Sequence, residues 1–116
     1  MADDWHAGNA AVDGEDHRGW LIGHFLGSDN VRACEAVEIK WGIHPKGEGR
    51  DNWHTDEQRT TVLLLVKGRF RLELSVGTVV LHNQGDYAVW GPDIDHSWQA
   101  EEDSVVITVR WPSIPQ

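Results

Sequence analysis

The sequence predicts an all-β domain, a sandwich or barrel of about eight short strands. Three observations carry that expectation. Runs rich in β-branched, leucine and aromatic residues recur along the chain, among them GWLIGHFL, TTVLLLVK, RFRLEL and SVVITVRW. Turn-forming clusters such as Gly27-Ser28-Asp29-Asn30 and Asn83-Gln84-Gly85-Asp86 separate them. No stretch gathers its apolar residues at the helical period of about 3.6 residues.

Taken in order, Met1 to Arg18 is polar and acidic and reads as a flexible arm. Residues 19–116 form the expected domain. Gly19 to Leu26 is the first strand, with Trp20, Ile22 and His24 on one face. Val31 to Ile43 follows. There Val37, Ile39 and Trp41 share the apolar face, and Glu38 and Lys40 the polar one. His44 to Asn52 is a loop by composition. Thr60 to Leu74 holds two strands, with Lys67-Gly68 as the hinge between them. Thr78 to His82 is a short strand. Tyr87 to Trp90 and the segment from His96 flank a break at Gly91-Pro92. Ser104 to Trp111 is the last strand. On it Val105, Ile107, Val109 and Trp111 make the better inward set than Val106, Thr108 and Arg110.

At 116 residues the chain can bury a core without disulfides. Its formal net charge is −9, from 19 acidic and 10 basic side chains, which disfavours nucleic acid and anionic membrane surfaces as partners. One cysteine, Cys34, excludes an internal disulfide and fits a reducing cytoplasm. The N-terminus lacks the basic start and apolar core of a secretory signal. No apolar run approaches the ~20 residues of a membrane span. Seven tryptophans in so short a chain suggest aromatic pocket walls or an oligomer interface.

The stretch Gly85 to Trp98, GDYAVWGPDIDHSW, resembles the second conserved motif of the cupins. In that motif a Gly-Asp turn and a Gly/Pro corner precede a metal-binding histidine, here His96. The first cupin motif is matched less fully. Gly68 takes its closing glycine and His54 its first histidine. Its second histidine falls on Asp56, or on Glu57 with the shorter spacing, and its glutamate on Thr61. The resemblance covers Ile39 to Trp111 and implies a jelly-roll β-barrel, the double-stranded β-helix of the cupins.

Cupin metal sites combine histidines with a carboxylate inside the barrel. The resemblance therefore implies His54, Asp56 and His96 as a facial triad for one divalent metal, Fe, Mn, Ni or Zn. The other outcome is a metal-free pocket in which His54 and His96 are polar or acid–base groups. Candidate ligand-binding residues are Trp41, Arg59, Thr61, Trp90 and Trp98. Arg59 is placed to clamp a carboxylate or to pair with Asp56 or Glu57. The resulting expectation is a small bacterial cupin, homodimeric, that holds a small organic molecule in its barrel. It acts either as an oxygenase, isomerase or cyclase or as a metal-free binding or sensing protein.

Overall fold

The computed structural model describes residues 4–27, 30–50 and 52–115. Met1 to Asp3 of the arm, Ser28 and Asp29 of the first turn, Asp51 of the loop and Gln116 lie outside the described residues. Eight strands follow one helical turn, α1 (Ala10–Asp13), and a 3-10 turn at Glu15–His17. The strands are β1 (Trp20–Ile22), β2 (Glu38–His44), β3 (Thr60–Lys67), β4 (Phe70–Leu74), β5 (Gly77–Leu81), β6 (Tyr87–Trp90), β7 (His96–Ala100) and β8 (Ser104–Trp111). They form a five-stranded sheet, β1-β2-β8-β3-β6, facing a three-stranded sheet, β5-β4-β7. All pairings between these strands are antiparallel. This is the all-β jelly-roll architecture expected from the sequence.

The core lies between the sheets. Leu63 and Leu65 of β3 and Trp90 of β6 meet Phe70 and Leu72 of β4, Leu81 of β5 and Ala100 of β7. Burying such side chains supplies the main driving force of a domain this size. The predicted hinge at Gly68 is real. Its φ is +104°, and an added Cβ would lie 2.4 Å from the Asp103 carbonyl oxygen. Only glycine both adopts that backbone and leaves room for the β8 approach.

On β8 and β2 the interior face is the reverse of the one predicted. Thr61 pairs with Arg110, Leu63 with Thr108 and Leu65 with Val106. Directly paired residues share a face, so Val106, Thr108 and Arg110 point inward with Leu63 and Leu65. The predicted inward set on β8, from Val105 to Trp111, therefore faces out apart from Val105, which is itself buried. In β2, Glu38 pairs with Arg110 and Lys40 with Thr108, so the charged face is the inner one. Ile39, Trp41 and Ile43 line the outside. The alternation itself was legible, but the rule that apolar faces turn inward fails at this end of the barrel. There Glu38 and Arg110 pair with each other inside.

Two boundaries also move. The first strand stops at Ile22, because Gly23 bridges to Ala33 and the His24 N–H is taken by Ser113 Oγ at 2.9 Å. β2 begins only at Glu38; the segment before it is turn and bend. Between residues 4 and 18, where little regular structure was expected, α1 is capped by the Asn9 side chain, which accepts from the Ala11 and Val12 N–H groups.

Candidate functional site

His54 and His96 sit side by side on two segments that pair through a short antiparallel bridge. The His54 N–H donates to the His96 carbonyl at 2.7 Å, and the His96 N–H returns the bond at 3.1 Å. Their rings lie 5.0 Å apart between centroids. The His54 ring turns toward Glu57, donating from Nε2 to the Glu57 carboxylate at 2.8 Å. The His96 ring turns inward against Trp90, 5.1 Å away, and its Nδ1 is buried with no hydrogen-bond partner.

Asp56 is not the carboxylate that joins this pair. It is exposed, in a left-handed turn with φ of 58°, and that turn directs the next residue inward. Glu57 is 1 % exposed and anchors a buried ionic network. Arg59 donates to both of its oxygens, from Nε at 2.6 Å and from Nη2 at 2.8 Å, and reaches Glu38 through Nη1 at 2.5 Å. Arg110 donates to the other Glu38 oxygen at 3.0 Å. Burial by itself would raise the Glu57 pKa. The Arg59 hydrogen bonds and charge outweigh it and hold the carboxyl down at about 2. Of the two roles expected for Arg59, clamping a ligand or pairing with Asp56 or Glu57, the structure shows the pairing with Glu57, made from a buried position and extended to Glu38.

Next to this network is a cavity of about 90 Å³ between the sheets. Three cationic side chains line it, Lys40 from β2, Arg50 from the loop and Arg110 from β8. Thr61, Trp90 and His96 supply its polar wall, and Trp98 and Trp20 its aromatic one. No carboxylate is among the described lining residues. Of the expected ligand-binding residues, Thr61, Trp90 and Trp98 are therefore brought to the cavity with His96. Trp41 is not. It lies half-buried on the outer face of the sheet, beside α1. Sequence reasoning missed Lys40, Arg50 and Arg110 as site residues. The signal for two of them was present, since Lys40 and Arg110 lie on the faces set aside as solvent-facing.

The cavity carries unbalanced positive charge. Burial, then Arg110 and Arg50, lower the Lys40 pKa. Burial, then Arg59, lower that of Arg110. Burial first, then the neighbouring His54 and Arg50, push His96 down to about 4, so its imidazole is neutral at pH 7. His44 packs on Trp98 with ring centroids 4.5 Å apart and bonds Glu48 through Nδ1.

The donor set fits a divalent metal poorly. His54 Nε2 is committed to Glu57, Asp56 points elsewhere, and Thr61 offers only a hydroxyl. Three cations face the same space and would repel a metal ion. Among the described residues no group of three His, Cys, Asp or Glu side chains converges in a way that could hold one.

An antiparallel two-sheet roll of this kind defines a fold class, the jelly rolls. Comparison with solved structures makes the fold specific. KdgF from a Halomonas species superposes with a TM-score of 0.61 at 25 % identity, over 67 % of this chain and 71 % of that one. An RmlC-like cupin from Shewanella frigidimarina does so with a TM-score of 0.61 at 20 % identity, over 67 % and 68 %. A cupin protein from Bacteroides fragilis gives 0.58 at 19 % identity, over 70 % and 71 %. The chain is a cupin in fold. No family model matches it, and no curated protein matches it in sequence. No helix among the described residues is long and apolar enough to cross a membrane.

Proposed function

We propose that the barrel binds a small organic carboxylate in the cavity between the sheets, using protein cations rather than a metal ion. One observation carries this reading. Among the described residues Thr61 Oγ1, Trp90 Nε1, His96 Nδ1 and Arg110 Nε are all buried without a hydrogen-bond partner, and all four residues line the one cavity. An unpaired buried polar group costs about 1–3 kcal/mol, so four around one hollow favour a ligand that pairs them. The indole and guanidinium nitrogens can only donate, and Lys40 and Arg50 add charge. A carboxylate supplies the matching acceptors and the missing negative charge.

The same chemistry favours binding or sensing over turnover. An imidazole that protonates only near pH 4 is neutral at pH 7 and a weak general base there. Calorimetric titration of the purified protein with short carboxylates and their amides tests the proposal. Carboxylates are expected to bind and amides not. A stoichiometric divalent metal retained without chelator, whose removal abolishes carboxylate binding, would overturn the metal-free reading.

A second copy of this chain is the partner proposed. The outer face of the large sheet presents Ile39, Ile43, Val62, Leu64, Ile107, Val109, Tyr87 and Val89, with no charge among them. Ile43 is 60 %, Tyr87 63 % and Val89 53 % exposed. A cross-strand apolar face of this kind suits an isologous interface, which needs no charge complementarity between two acidic chains. Light scattering after size exclusion should give twice the 13.1 kDa chain mass for the wild type and the single mass for Val89→Asp. A monomeric wild type at micromolar concentration would refute the dimer.

A further inference from the structure

The inner cavity is small for a metabolite pocket, and one side chain makes it so. Its volume of about 90 Å³ compares with the ~300–1,000 Å³ of typical ligand sites. Immediately beyond it, at the mouth, is an open space of about 460 Å³ bounded by Phe25, His54 and Ile114. Two residues border both spaces, Trp20 and Arg110.

Trp20 is held at that boundary from several sides. The Arg110 guanidinium lies 4.5 Å from its ring centroid and the Lys40 ammonium 5.7 Å, both as cation–π partners. Phe25 meets it edge-on at 5.6 Å. The backbone fixes its approach. Arg18 and Gly19 both have positive φ, 55° and 93°, and a Cβ on Gly19 would lie 2.4 Å from the Trp41 carbonyl oxygen. The indole thus both closes the hollow toward the mouth and holds the two cations that face it.

We propose that Trp20 is the size filter of this site, restricting the ligand to a short-chain acid. This rests on the reading of the cavity as a carboxylate site. On the opposite side Arg50 and Trp98 part the cavity from a polar cleft of about 300 Å³ that also contains Trp53 and Arg71. A longer ligand could leave by that route instead, so the two walls are tested together.

The experiment is calorimetric titration with linear monocarboxylates from acetate to octanoate, on the wild type, Trp20→Ala, Trp20→Leu and Arg50→Ala. The wild type should bind octanoate at least about tenfold more weakly than acetate. In Trp20→Ala that ratio should shift at least about tenfold toward octanoate, with Trp20→Leu between the two. Circular dichroism checks each fold, and Trp20→Leu carries the test if the alanine variant unfolds. An unchanged ratio in both Trp20 variants overturns the filter, as does a shift that appears only in Arg50→Ala. A wild type that binds acetate while Trp20 has no influence leaves the carboxylate site standing and removes the filter alone. A wild type that binds no acid removes both.

Discussion

Arg59→Ala is expected to destabilise the protein by about 3–5 kcal/mol, the scale of a buried ion pair that loses one partner. For a domain of this size that lowers the unfolding midpoint by roughly 10–20 °C. Glu38 and Glu57 are each 1 % exposed, and the Arg59 side chain donates three hydrogen bonds to them. Without it, Glu57 keeps the Arg59 backbone N–H at 3.0 Å, His54, and Arg110 at a distant 4.0 Å. Glu38 keeps Arg110 alone among the ion pairs. A lysine cannot fork across two carboxylates, so Arg59→Lys should recover only part of the loss. A midpoint within about 3 °C of wild type for Arg59→Ala would show that water enters the network freely.

The same network sets the acid limb of stability. The Glu57 carboxyl titrates near pH 2 in the folded chain, against an ordinary value of 4.5. The unfolded chain therefore binds its proton first, and this contribution is present above pH 4.5 and lost as the pH falls toward 2. His96 is depressed to about 4 from 6.5. Its unfolded form also takes the proton first, so stability begins to fall below pH 6.5 and continues to about 4. Thermal midpoints measured from pH 8 to pH 3 should thus decline in two overlapping stages. His96→Gln should remove the upper stage and leave the lower one. A midpoint that stays flat between pH 6.5 and 4.5 in the wild type would contradict the buried, neutral His96.

Lys40→Met is expected to weaken carboxylate binding by about ten- to a hundredfold while raising the melting temperature of the ligand-free protein. The binding loss follows from removing a charge-assisted hydrogen bond worth about 1.5–3 kcal/mol. The stability gain follows because Lys40 makes no ion pair among the described residues and faces Arg110 and Arg50 from within the barrel. Methionine fills the same space without the charge. Arg110→Ala should abolish binding as well but destabilise the fold, since it also frees a buried Glu38 oxygen. The opposite signs of the two stability changes separate a cation kept for a ligand from one kept for the network. Tight binding by Lys40→Met, or a lowered melting temperature in it, would argue that Lys40 points away from the cavity in solution.

The order of the strands along the chain and the Gly68 hinge were written in local chemistry, whereas their pairing into a jelly roll was implied by the resemblance to the cupin motifs. Turn residues, β-branched runs and period-two alternation act over a few residues and survive without tertiary context. Alternation also stated which side chains share a face, Glu38 with Lys40 and Thr108 with Arg110. It could not state which face is inside. That was decided when β2, β3 and β8 came together, because a charge is admitted to an interior only where a partner from a distant strand neutralises it or a ligand is to do so. Glu38 meets Arg59 and Arg110 from 21 and 72 residues away. The one-residue exchange of Glu57 for Asp56 follows from a left-handed turn at Asp56, after which Glu57 is buried and paired by Arg59 and His54.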